Sequence, residues 1–280
     1  MLNFGDIFRD GRVLLSHQTW RASLYWLQAE ASREKDVSWL DWSIAGDLSA
    51  DGKTLLFDER RDGGSGFYLR RGLAEPPVRL GDGRGLALSP DGRSVLAAER
   101  GAKEASRLVL LPTGAGEPKT LEIGSIVSID EGRFFPDGER VVFWGAEAGK
   151  SQRLWVRDLA GGDPRPISPE GTGRAIAVSP DGRIVAARFD PQIRLFPVDG
   201  GEPRVMPGQE TGERPICWDG DGRTLYVYRP MDVPLKVYRV DMKTGQRALW
   251  KSIDPPDTAG AYTYSVQRSF SDLYVVEGLH

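Results

Sequence analysis

Six of the Asp-Gly pairs in this chain recur at nearly even spacing, each just before a β-rich apolar run. Their glycines fall at positions 11, 52, 92, 138, 182 and 222, giving intervals of 41, 40, 46, 44 and 40. A period of this length, with Asp-Gly in a turn and an apolar run behind it, is the pattern of a propeller blade. Glycine takes the positive φ that a tight turn demands, and the aspartate side chain hydrogen-bonds backbone N–H groups of the same turn. Two of the turns read SPDGR, at Ser89 to Arg93 and Ser179 to Arg183; the others are FRDGR, SADGK, FPDGE and DGDGR.

Each turn is left by a β-rich run: VLLSH, TLLFDE, SVLAAE, RVVFWG, IVAARF and TLYVYR. A polar loop and a third strand follow, such as RLVLLP from Arg107, QRLWVRDL from Gln152 or LKVYRVD from Leu235. A fourth segment is often opened by proline, as in EPPVRLG, EPKTLE, DPRPIS and EPRVMP. Proline suits an outermost strand, which can forgo a ladder bond. The 34 glycines and 19 prolines fit many short strands joined by tight turns better than long helices.

The end of the chain departs from the rule. AYTYSV at Ala261 and SDLYVVEG at Ser271 read as the second and third strands of a seventh unit, but no Asp-Gly precedes them. The stretch DPPDTAG that separates them from the strand before reaches at most about 25 Å, too short for an inner strand and its turn. The expectation is one all-β domain over 1–280, a propeller of four-stranded antiparallel blades. It has seven units with the last, at 261–280, incomplete; six closed blades is the alternative count. The blade turns are placed at Asp10, Asp51, Asp91, Asp137, Asp181 and Asp221.

These repeats resemble the WD40-like, TolB-type propeller repeat, whose core reads Ser-Pro-Asp-Gly-Lys/Arg before an apolar strand. RDGRVLL, LDWSIAGDLSADGKTLLFDE, LVLLPTGAGEP, KVYRVDMKTGQRALWK and the closing RSFSDLYVVEGL together resemble the C-terminal propeller region of bacterial eukaryotic-like serine/threonine kinases. The resemblance implies a sensor domain on the extracytoplasmic, periplasmic side, carried by a membrane protein with an N-terminal kinase. The kinase signatures themselves are missing: the sequence has no glycine-rich loop before a Val-Ala-x-Lys strand, no His-Arg-Asp loop and no Asp-Phe-Gly. Kinase activity is therefore carried to no residue here.

Other chemistries find little footing. The formal charge is −3 and the arginines are scattered, which gives no footprint for nucleic acid. Cys217 is the single cysteine, so an internal disulfide and a cysteine-based metal cluster are excluded; it is expected as a small buried residue in a strand. No apolar run reaches the length of a membrane span, and MLNFGDIFRDGR does not read as a signal peptide. GAEAGKS at Gly145 to Ser151 has one residue too few between its glycines for a phosphate loop, and a strand follows where a helix should start, so it reads as the loop between second and third strands. DGDGR at Asp219 lacks the distal glutamate of a calcium loop and reads as a plain turn. A serine triad needs a histidine, and only His17 and the terminal His280 exist.

One pattern points to a site. Seven residues before each turn aspartate stand Asn3, Ile44, Arg84, Asp130, Arg174 and Arg214. Equivalent positions of a propeller lie on one ring around the central channel, and three guanidinium groups on such a ring can hold an anion. The competing reading has them pairing with neighbours such as Asp130 or packing their stems, since Leu86, Ile176 and Ile216 share their side of the strand. Trp39 and Trp42, in SWLDW, are candidates for an exposed contact patch or for core. The sequence thus predicts a non-catalytic propeller without cofactor or metal, binding a peptide, protein or small anionic ligand at the channel mouth through Arg84, Arg174, Arg214, Asp130, Trp39 and Trp42. A TolB-like interaction scaffold is the second reading and a propeller hydrolase the third.

Overall fold

The computed structural model describes residues 2–7, 13–27, 34–61, 64–100, 106–230, 232–253 and 262–276, with the backbone alone at 2–7, 13, 15–20, 61, 100 and 262–276. Strands β1 (Leu2–Ile7), β2 (Val13–Leu27) and the two-residue β3 (Lys35–Asp36) come first. The first blade holds β4 (Ser43–Leu48), β5 (Thr54–Arg61), β6 (Gly64–Arg71) and β7 (Val78–Asp82). The second holds β8 (Arg84–Leu88), β9 (Ser94–Arg100), β10 (Ser106–Pro112) and β11 (Lys119–Leu121). The third holds β12 (Ile126–Phe134), β13 (Arg140–Glu147), β14 (Arg153–Asp158) and β15 (Arg165–Pro166). The fourth holds β16 (Ile176–Val178), β17 (Ile184–Phe189), β18 (Gln192–Pro197) and β19 (Arg204–Val205). The fifth holds β20 (Arg214–Trp218), β21 (Thr224–Tyr228), β22 (Leu235–Asp241) and β23 (Arg247–Ile253), and β24 (Tyr262–Val276) ends the described chain.

Every blade is an antiparallel sheet in chain order, and the Asp-Gly turn joins its innermost strand to the second. The five described turns share one geometry: Gly52, Gly92, Gly138, Gly182 and Gly222 have φ between 67° and 70°. In the Ser-x-Asp-Gly versions the serine hydroxyl donates to the aspartate at 2.6 Å and accepts from the backbone N–H five residues on at 2.9 Å, at Ser49, Ser89 and Ser179 alike. The aspartate then accepts from the backbone two residues beyond it, as Asp91 does from Arg93 at 3.0 Å. A four-residue motif thus closes its own polar groups and fixes the hairpin register. The outermost strands β7, β11, β15 and β19 are short, and a proline stands just before each, as the sequence predicts; β23 is longer.

The blade count differs from expectation. Among the described residues there are five blades, not seven units or six, and the reason lies in the two ends of the chain. The run from Tyr262 to Val276 is one uninterrupted strand, not two, and β2 is equally long. They pair antiparallel residue for residue, from Val13 opposite Val276 to Leu27 opposite Tyr262. The expected first and last units therefore merge into one terminal sheet, ordered β1-β2-β24 with β3 also on β2. The turn at Asp10 lies outside the described residues.

Adjacent sheets pack face to face. Leu24, Trp26 and Val37 of the terminal sheet and its following loop press on Leu55, Phe57 and Tyr68 of the first blade. Leu56 and Phe67 of the first blade meet Leu88, Val95 and Val109 of the second. Leu86, Leu96 and Leu108 continue to Ile129, Val141 and Phe143 of the third, and Phe135, Val142 and Leu154 to Ile176, Val185 and Phe196 of the fourth. Ile193 and Leu195 then meet Leu225, Val227 and Val240 of the fifth. Among the described residues no apolar cluster covers the far face of the fifth blade. No helix among them is long and apolar enough to cross a membrane.

Candidate functional site

The innermost strands β4, β8, β12, β16 and β20 converge on a cavity of about 870 Å³, a size typical of ligand sites. Its wall has two halves. One is charged, from Asp58, Arg84, Asp130, Glu131, Arg133 and Arg174. The other is lined by Tyr226, Tyr228, Val237, Trp250 and Ile253 of the fifth blade, where Val237 and Ile253 are buried, the tyrosines half-buried and Trp250 exposed. The rings of Tyr226 and Trp250 meet edge to face, 5.3 Å apart at 73°.

The ring expected from the sequence is present in four of its six positions. Arg84, Asp130, Arg174 and Arg214 all line the cavity, and so do Leu86, Ile176 and Ile216 two residues on. At the first blade Ala45 and Gly46 form the wall in place of Ile44. The side chain of Asn3 lies outside the described residues.

Two of the three arginines are engaged. Arg84 Nε is 3.4 Å from Asp58 and its Nη1 3.4 Å from Asp130, so one guanidinium spans three blades. Arg174 reaches the other oxygen of Asp130 at 3.3 Å and lies over the Trp144 ring at 5.1 Å. The guanidinium of Arg214 makes no hydrogen bond or ion pair with any described residue, while its backbone pairs with Tyr228 on β21. Arg84 and Arg174 thus pair with neighbouring carboxylates, and the Arg214 guanidinium lines the cavity without a partner among the described residues.

Three carboxylates that the ring pattern missed stitch the blades. Asp58 accepts from the backbone N–H of Gly85 at 2.9 Å, and Asp47 from that of Leu88 at 2.8 Å, both across the first and second blades. Glu131 accepts from Ala175 and Ile176 at 2.9 Å each, across the third and fourth. Those bonds hold Ala175 at φ 77°, a left-handed conformation uncommon for a residue with a side chain. Burial pushes the Asp58 carboxyl up to about 6, against the opposing pull of the Gly85 amide and Arg84. Burial raises Asp47 as well, with Arg133 and the amides of Leu88 and Leu48 acting the other way. A carboxylate inside an apolar strand, as in TLLFDE, is the signal that marks Asp58 in the sequence.

The tryptophans sit elsewhere. Trp39 is 42% exposed and Trp42 half-buried, and neither belongs to the cavity wall. Their loop is held by Glu59, which accepts from Leu40 N–H at 3.3 Å and from the Ser43 hydroxyl, while Trp42 forms a parallel bridge with Ala22 of the terminal sheet. They mark the junction of that sheet with the first blade.

Cys217 corrects the expectation of a buried thiol: it is exposed and stands in the cavity wall on β20. Desolvation by the surrounding wall and the negative charge of Asp219 push its pKa up. In GAEAGKS the first three residues end β13 and the rest begin its link to β14, with Lys150 paired to Glu147 at 2.7 Å. DGDGR is a turn, with Asp219 N–H donating to Thr224 at 2.8 Å. Among the described residues no group of three or more His, Cys, Asp or Glu is placed to hold a metal ion.

No family model matches the chain, and no curated protein matches it significantly. Solved structures do match in fold. A putative TolB from Agrobacterium tumefaciens is similar with a TM-score of 0.63 at 18% identity, over 90% of this chain and 99% of that one. TolB from Acinetobacter baumannii gives 0.61 at 16% identity, over 88% of this chain and 66% of its own. A chain from a study of two prolyl endopeptidases gives 0.54 at 16% identity, over 90% of this chain and 42% of its own. At these identities the likeness establishes a TolB-like propeller fold.

Proposed function

We propose that this chain is a non-catalytic binding propeller that takes a ligand or protein segment at its channel mouth, as the sensor portion of a serine/threonine kinase-type receptor. The observation that carries the binding reading is the two-sided cavity: an ion-pair array on one wall, and the aromatic side chains Tyr226, Tyr228 and Trp250 on the other. Such a wall fixes polar groups of a ligand while removing apolar surface from water. The raised pKa of the Cys217 thiol favours binding over thiolate chemistry, since the thiolate is the nucleophile. Signalling would follow by population shift, the ligand favouring one arrangement of the fifth blade against the bridged blades opposite. The kinase link rests on the sequence resemblance alone.

The fold likeness to TolB proteins favours a second reading, a protein-interaction scaffold that uses the same channel mouth. A propeller hydrolase is third: the cavity carboxylates Asp58 and Asp130 are tied to one guanidinium, an arrangement that restrains both.

The test is thermal melting of the purified chain against phosphate, citrate, peptidoglycan fragments and short peptides, repeated on Arg84→Ala, Arg174→Ala and Arg214→Ala. A ligand that binds only the folded state at 100 times its Kd adds about 2.7 kcal/mol. A shift abolished by an arginine substitution supports the channel-mouth site. A shift identical in all three variants and in Trp250→Ala counts against it. An upstream reading frame encoding a kinase and a membrane span supports the sensor role, and its absence favours the scaffold.

A further inference from the structure

We infer that the channel mouth captures the C-terminal end of a peptide chain, with Arg214 receiving the α-carboxylate and the aromatic face of the fifth blade receiving an apolar last side chain. The inference rests on the channel-mouth reading above and specifies its ligand.

Arg214 is the cavity arginine left without a partner among the described residues: Arg84 and Arg174 are ion-paired, and Arg133 donates to the Leu86 and Gly132 carbonyls at 2.9 Å. A half-buried guanidinium with an open fork is a carboxylate acceptor site, because its parallel N–H groups match both oxygens. Apolar surface adjoins it at once. Tyr228 is its register partner on β21, Pro215 and Ile216 follow it on β20, and Val237 stands opposite Tyr228 on β22. Ile216 is 41% and Trp250 46% exposed, both on the cavity wall. The backbone is provided for as well: among the described residues β20 pairs with β21 alone, so its second edge presents donors and acceptors that an extended peptide can use.

The chain end fits better than an internal acidic residue. In an extended segment successive side chains point to opposite faces, so an internal aspartate facing Arg214 turns the next side chain away and returns an apolar one to that wall only two residues, about 7 Å, further along. A terminal residue carries carboxylate and side chain on one Cα and presents both to the same wall.

The experiment uses the full chain and three peptides labelled with fluorescein at the N-terminus: Gly-Ser-Gly-Leu-Phe as free acid, the same peptide as C-terminal amide, and Gly-Ser-Asp-Leu-Phe as amide. Anisotropy titration should show the free acid binding at least about tenfold tighter than either amide, as expected for a charge-assisted bidentate contact. The preference should vanish in Arg214→Ala, return in part in Arg214→Lys, and all three peptides should weaken in Trp250→Ala. The melting temperatures of the variants confirm that each is folded. Acid and amide binding alike, or an acid preference kept in Arg214→Ala, overturns the terminus inference while leaving the channel reading in place. Tighter binding of the internal aspartate overturns it in favour of an acidic segment. Binding by none of the three overturns it too, and the channel reading then stands or falls with the melting panel.

Discussion

The backbone N–H of Gly85, at the head of the second blade, donates to the Asp58 carboxylate of the first at 2.9 Å. That contact depends on there being no side chain at position 85. A Cβ there would lie 2.8 Å from Leu56 Cδ1 and 2.9 Å from its Cγ, in a leucine that is fully buried. Gly85→Ala is expected to destabilise the chain by about 1–3 kcal/mol, the usual cost of overpacking, through the interface of the first two blades. Urea unfolding measures this, and an unchanged midpoint would mean the blades are not held this closely.

Asp58 also sets a pH dependence. Its folded pKa of about 6 is raised above the ordinary 3.8, so between those values the folded chain binds a proton that the unfolded chain releases. Its favourable contribution is complete below about pH 4 and is lost as pH rises through 6, by up to about 3 kcal/mol. Turn carboxylates such as Asp91 and Asp181 are lowered by their serine and backbone bonds and act with the opposite sign, so the difference from a variant isolates Asp58. Asp58→Asn should gain stability relative to the native chain between pH 4 and 7. Parallel stability curves would show that burial does not perturb this carboxyl.

Glu131 satisfies two amides at once, those of Ala175 and Ile176, and holds Ala175 in a left-handed conformation. Glu131→Ala leaves both without a partner, and leaving one buried donor unsatisfied costs about 1–3 kcal/mol. Hydrogen exchange should show the amides of 175 and 176 losing protection first, before those of β13. Uniform loss across the third blade would place the role of Glu131 elsewhere.

The repeat made most of the fold readable. Gly52, Gly92, Gly138, Gly182 and Gly222 sit in the turns assigned to them, because a motif that closes its own hydrogen bonds does not depend on distant contacts. Blade number was not readable. Residues 262–276 look like two short strands by pattern, and their union into one strand is decided by fifteen-residue pairing with β2, a partner at the far end of the chain. The site was half visible. Regular spacing from the turn placed Arg84, Asp130, Arg174 and Arg214 on the cavity, since a fixed offset in each repeat becomes a ring. It did not show which of them would be neutralised, nor that Tyr226 and Trp250 would line the same cavity, because both depend on neighbouring blades.

The arginines should separate in stability. Arg84 joins Asp58 and Asp130, and Arg84→Ala strips the nearly buried Asp58 of its cation. Because Arg84 is itself 41% exposed, the cost is discounted to about 1 kcal/mol, a fall in Tm of about 2–4 °C. Arg214→Ala removes no described contact and should stay within about 0.5 kcal/mol of the native chain. Differential scanning calorimetry distinguishes them, and an equal fall for both would mean Arg214 is structural.

The central claim, that ligand binds at the channel mouth, is most directly tested at Cys217. It is the one cysteine of the chain, exposed, and part of the cavity wall. The measurement is the rate of maleimide labelling at Cys217, alone and with saturating amounts of any compound that raises Tm in the melting panel. Occupancy of the cavity should slow labelling by at least about tenfold at saturation, following the fraction of protein left free. Labelling at an unchanged rate under a ligand that raises Tm would put the binding site elsewhere on the propeller and contradict the account.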